Sequence, residues 1–82
     1  MKTPRDLSGQ QLAAMLRKFG YQIVRTSGSH MRLVNHSRNR EHFVTIPAHA
    51  ALKVGTLNAI LAEVAACLAI ERSELSQQLF DH

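Results

Sequence analysis

The sequence predicts a single α+β domain of order α-β-β-β-α: two helices on one face of a three-stranded antiparallel sheet, with a short extra helix at the C-terminal end. Three observations predict it. Apolar residues recur at helical spacing in both outer thirds of the chain, they alternate with polar ones from Tyr21 to Pro47, and turn signals divide the alternating stretch into short runs. The 82 residues allow one modest two-layer core and exclude a second, so residues 1–82 are read as one unit. Only Met1 to Asp6 and the last two residues read as loose.

Ser8 opens the first helix, its side chain capping the first turn while Gln11 reaches back in a capping box. Leu12, Met15, Leu16 and Phe19 then mark one buried face, and Gly20 ends the helix. The three strands are Tyr21 to Ser27, His30 to Asn35 and Phe43 to Pro47. Gly28-Ser29 is short enough to join the first two as a hairpin, whereas His36 to Glu41 is a longer polar loop bearing two arginines. Side chains alternate along a strand, so Met31 and Leu33 point one way and His30, Arg32 and Val34 the other. With Met31 and Leu33 against the helices, Val44 and Ile46 join them and Thr45 turns outward. His30, Arg32 and Thr45 then share the open face, a result that a slip of one residue would reverse.

A connection from Ala48 to Val54 leads to the second helix, with Gly55 and Thr56 as its starters and Leu57, Ile60, Leu61, Val64 and Leu68 as its buried stripe. A third helix from about Arg72 to Phe80 carries Leu75 and Leu79 one turn apart, placed to clamp the sheet edge or the first helix.

Ten Lys and Arg against six Asp and Glu give a net charge of +4, which favours polyanionic partners. Arg25, Arg32, Arg38, Arg40 and Lys53 occupy the middle of the chain, while five of the six acids lie at Asp6 or after residue 62. The middle is therefore expected to carry a positive face. The single Cys67 excludes an internal disulfide and reads as a buried thiol, which suits a reducing compartment. No apolar segment follows Met1 to Arg5, and the longest apolar stretch, Ala59 to Ile70, is interrupted by Glu63 and too short to span a bilayer. The expected setting is the cytoplasm, with no membrane partner.

His36, His42 and His49 come at intervals that match no compact ligand pattern, and no second Cys or acidic cluster completes a site, so no metal is expected. Phosphate-binding glycine loops and close carboxylate pairs are missing too, and no small-molecule cofactor is expected. What remains is a histidine on an open β face among arginines. One reading is a surface histidine on a non-catalytic RNA-binding sheet. The other is general acid/base work on RNA: a proton acceptor titrating near neutrality takes the ribose 2′-hydroxyl proton, and cations stabilise charge on the phosphate. Arg32, Arg38, Arg40 and Lys53 are the candidate cations.

Three blocks in order bear on the choice: Gly28-Ser29-His30 opening the second strand, Ile46-Pro47-Ala48-His49 closing the third, and Leu52-Lys53-Val54-Gly55-Thr56-Leu57-Asn58-Ala59-Ile60-Leu61. Together they resemble the HicA family of small bacterial messenger-RNA-cleaving toxins, over residues 8 to about 80. The resemblance implies a double-stranded-RNA-binding-domain-like fold, ribonuclease activity that depends on His30, and inhibition by a cognate HicB antitoxin. Val54 inside the Lys-Gly-Thr run, and Ala48 and Ala50-Ala51 near the Pro-x-His turn, depart from the commonest pattern; they bear on RNA contacts more than on the chemistry.

Gly28 is read as supplying a turn conformation, with close RNA approach as the second possibility. Ser29 caps the turn or donates to a phosphate. His49 serves structure, the antitoxin contact or RNA binding rather than a second catalytic step. Lys53 is either solvated or meets a phosphate at the start of the second helix. Two other functions stay open: the binding module and a decayed nuclease that only engages its antitoxin. Thr56 to Ala66 contains no Lys or Arg, which counts against a double-stranded-RNA module, and the presence of His30 counts against decay.

Overall fold

A computed structural model describes residues 6–36 and 41–80. The elements run α1 (Gly9–Leu16), a 3₁₀ turn (Arg17–Phe19), β1 (Tyr21–Ser27), β2 (His30–Asn35), β3 (His42–Pro47), α2 (Val54–Leu68) and α3 (Arg72–Phe80). The sheet is antiparallel in the order β1-β2-β3, and the α-β-β-β-α order is that of a double-stranded-RNA-binding-domain-like fold.

The capping box at the start of α1 closes through both of its bonds. Ser8 Oγ accepts from the Gln11 backbone N–H at 3.0 Å, and Gln11 Oε1 accepts from the Ser8 N–H at 2.9 Å. Regular helix ends at Leu16 and tightens into the 3₁₀ turn before Gly20, at φ 99°, reverses the chain into β1. The buried stripe is Gly9, Leu12, Ala13 and Leu16, with Met15 and Phe19 only partly covered at its margin. Gly9 is required by space: a Cβ there would overlap the Pro47 carbonyl. α1 can therefore lie against the end of β3.

β2 is the middle strand and contributes Met31 and Leu33 to the core; Val44 and Ile46 reach the same side from β3. α1 packs on β1 and β3, and α2 on β3, with Leu57, Ile60, Leu61 and Val64 buried. α2 begins at Val54, one residue before the expected starters, with Lys53 as N-cap and no side-chain capping bond. Its C-terminal turn closes through Ala69 at φ 59°. α3 turns 107° from α2 and packs chiefly against it, rather than on the sheet edge or α1 as expected. The reason is the short Ala69 to Glu71 link, which returns Leu75 and Leu79 to the α2 side of the core. No single helix among the described residues is long and apolar enough to cross a membrane.

β3 starts at His42, one residue earlier than expected, because His42 pairs with Asn35 and completes a polar latch. Tyr21, wholly buried, shares a 2.7 Å hydrogen bond between its hydroxyl and His42 Nδ1, and the rings meet edge to face at 5.8 Å. Asn35 lies between them in register and donates from Nδ2 to the Phe19 carbonyl at 2.9 Å. One cluster thus joins all three strands to the end of the first helical segment. Burial pushes the Tyr21 hydroxyl well above its ordinary range, and the neighbouring Cys67 side chain adds to the shift.

Replacing Tyr21 by Phe should cost about 1 kcal/mol in thermal melts through the lost hydrogen bond. Because the folded-state value is raised, the neutral hydroxyl's contribution is complete below about pH 10 and is lost as pH climbs through the folded value. The Phe variant should lack that part of the alkaline fall in Tm, and the ultraviolet titration of the sole tyrosine reports the same event. Equal alkaline slopes in both proteins would contradict a buried, titrating Tyr21.

Candidate functional site

A sheet covered on one side leaves its other side open, and the pairing register says what stands there. The rows across the strands are Ser27, His30 and Pro47; Arg25, Arg32 and Thr45; and Gln22, Val34 and Phe43. His30, Arg32 and Thr45 are all exposed, so the sequence-based face assignment agrees with the observed register. Val34 shares their parity yet is only 2% exposed and lies outside the main core, in register between Gln22 and Phe43.

Arg25 reaches this face through an irregularity. Ile23 pairs with Leu33 and Arg25 with Arg32, so Val24 is an extra residue bulged out of the ladder. Unbroken alternation from Tyr21 would put Arg25 in phase with Ile23, on the core side. The bulge reverses the phase and sets two guanidinium-bearing residues directly opposite each other. Among the described residues, the one ion pair is His36 with Glu41 at 3.5 Å, so Arg25 and Arg32 have no carboxylate partner there. The Arg32 guanidinium carbon instead stands 4.3 Å above the centroid of the Phe43 ring, within cation–π range.

His30 stands at the end of this face, first in β2, after a two-residue turn. Gly28 takes φ 58° there, a conformation other residues resist, and a Cβ on it would meet nothing within 4 Å. Backbone conformation, not space, therefore calls for glycine. The Ser29 carbonyl accepts from the Ala48 N–H at 2.6 Å, carrying the β2–β3 contact one residue past the strand. His49 follows directly; its carbonyl accepts from the Gly9 N–H at 3.0 Å while its side chain is exposed. Leu52 N–H then donates to Leu7 O at 2.8 Å, and Lys53, also exposed, starts α2. The Gly-Ser-His and Pro-Ala-His segments, distant in sequence, thus meet at one end of the sheet. The His49 carbonyl thus helps to seat α1, a role that any residue's backbone could fill. Arg38 and Arg40 lie outside the described residues.

The expected positive middle includes Arg25 without setting it on the open face beside His30, Arg32 and Thr45, and the sequence reading gives Phe43 no face. A signal existed for Arg25, since a charged residue in phase with buried Tyr21 needs a break in the alternation. The parity of Phe43 with Thr45 places it on the open side. No group of three or more His, Cys, Asp or Glu among the described residues is placed to hold a metal ion.

The model of one protein family matches residues 9–65, which span α1, the sheet and most of α2; its description is HicA toxin of bacterial toxin-antitoxin. No curated protein and no solved structure matches the chain.

Like charges directly opposite each other destabilise a sheet. Arg25→Thr should therefore raise stability by about 0.2–1 kcal/mol in low-salt denaturant melts, and the gain should shrink in high salt. A loss of stability at low salt would mean that the two guanidinium groups do not repel.

Proposed function

Because the chain belongs to the HicA toxin family of bacterial toxin–antitoxin systems, we propose that it is an endoribonuclease that cuts messenger RNA on the open face of its sheet, with His30 as the general base. The observation that carries this reading is the exposed His30 at the end of a face where Arg25 and Arg32 stand in register without a carboxylate partner among the described residues. An imidazole suits proton transfer near neutral pH. His30 takes the proton of a ribose 2′-hydroxyl; that oxygen forms a bond to the adjacent phosphorus, and the bond from phosphorus to the 5′-oxygen breaks. The leaving oxygen takes a proton from water. Products are a 2′,3′-cyclic phosphate and a 5′-hydroxyl, by a route that calls on no metal ion. Arg32 and Arg25 stabilise the charge that gathers on the phosphate oxygens. Lys53, Arg38 and Arg40 hold flanking phosphates, with Ser29 and the turn at Gly28 contacting the strand beside the cut.

The partner that silences the enzyme is a HicB-type antitoxin, whose acidic groups would pair with this same basic face. The place of action is the cytoplasm, where messenger RNA is found.

The test is cleavage of RNA by wild type and by His30→Ala in excess EDTA, with melts to show that the variant is folded. The wild type should cut and leave 2′,3′-cyclic phosphate ends, and the variant should bind RNA but lose at least about a hundredfold in rate. Products with 5′-phosphate ends would overturn the mechanism. Binding without cutting by both proteins would make the chain an RNA-binding module.

A further inference from the structure

Phe43 stands out among the four aromatic residues. Tyr21 is buried in the core, Phe19 and Phe80 are partly buried against it, and Phe43 is 41% exposed on the opposite, basic face. Its ring has Val34 as the buried neighbour in register and the Arg32 guanidinium 4.3 Å from its centroid. The guanidinium thus covers one face of the ring, and the outer side of this cation and the exposed part of the ring are left on a surface whose charge favours phosphate. Both are surfaces on which nucleobases stack, a contact worth far more to an unpaired base than to one whose faces are covered by its neighbours in a duplex. The register also fixes the distance. Phe43 pairs with Val34, four residues along β2 from His30, or roughly 13 Å at the usual rise of a strand. A strand bound at His30 would lay a nearby base over Phe43.

We propose that Phe43 and Arg32 form a stacking subsite for an unpaired RNA base, which selects single-stranded over double-stranded RNA and sets the position of the cut. This inference rests on the ribonuclease reading and names a determinant of its substrate. Phe43 supplies the ring, with buried Val34 as its cross-strand neighbour, and Arg32 serves both the stack and the neighbouring phosphate.

The experiment uses the full chain and two variants, Phe43→Leu and Phe43→Trp. The probes are a short unstructured oligoribonucleotide with 2′-O-methyl riboses, which has no free hydroxyl to react, and the same strand annealed to its complement. The chain contains no Trp, so the Phe43→Trp variant carries a single reporter. Single-stranded probe should quench its fluorescence and duplex should not. Phe43→Leu should bind the single strand about tenfold more weakly. Its salt dependence should match that of wild type, since stacking releases no counterions, whereas Arg32→Gln should also flatten the slope. If Phe43→Leu does not fold, the quenching by itself decides.

Indole fluorescence that single-stranded probe leaves unchanged in the Phe43→Trp variant would overturn the stacking subsite. So would a folded Phe43→Leu protein that binds the single-stranded probe as wild type does and cuts the same sequence with free 2′-hydroxyls at the same position. In either case wild-type cleavage would still stand. Failure of the wild type to bind either probe would overturn the ribonuclease reading as well, so the two failures can be told apart.

Discussion

A three-stranded sheet with helices on only one side must send alternate residues of its middle strand into oil and into water, and the rest of this molecule is arranged around that division in β2. Met31 and Leu33 go down into the core, where α1 and α2 supply the opposing leucines. His30 and Arg32 go up. Neither set tolerates exchange with the other: a single-residue slip would bury an arginine and an imidazole while exposing the centre of the core. The same alternation that stabilises the fold therefore presents a cationic surface, with no separate device needed.

Two features hold the register. At one end of the sheet, Tyr21 and His42 bond across the strand that separates them, and Asn35 ties that strand to the Phe19 carbonyl. At the other end, main-chain bonds from Ala48 to Ser29, Gly9 to His49 and Leu52 to Leu7 gather the β1–β2 turn, the exit of β3 and the starts of both helices. The second cluster lies beside His30, so the residue proposed to do chemistry sits next to main-chain bonds that join segments distant in sequence. Gly9 permits that convergence, since any side chain there would strike Pro47.

The open face also carries a cost to stability that its proposed work explains. Arg25 and Arg32 stand opposite each other, and Phe43 keeps much of its ring in water. Folding by itself favours neither arrangement. Both become useful when a polyanion with exposed bases lies across the sheet: the bulge at Val24 then serves to aim a second guanidinium at the strand, and the cation–π pair serves as a platform.

Much of this was legible in the sequence. β1, β2 and α3 have the bounds that pattern alone predicts, because alternation, the Gly28-Ser29 turn and the leucines of α3 are local signals. The capping box at Ser8 is likewise written in four residues. The face assignment of His30, Arg32 and Thr45 followed from parity once Met31 and Leu33 were taken as core. The resemblance to HicA toxins rested on short blocks whose order a linear reading can see, and the family match covers over two thirds of the chain. Other features depend on partners distant in the chain. The bulge at Val24 is decided by what β2 offers opposite β1, and no local propensity requires it at that residue. β3 begins at His42 because Asn35 and Tyr21 are there to pair and bond with it. The docking of α3 on α2 depends on where the Ala69 reversal leaves its leucines relative to the finished core. By itself the sequence determined most of the leucine-rich core, since transfer from water is a property of each side chain, but not the burial of Asn35 or the exposure of Phe43. Tertiary structure decided which exposed residues became neighbours, since adjacency on a sheet is set by strand pairing between segments that share no local signal.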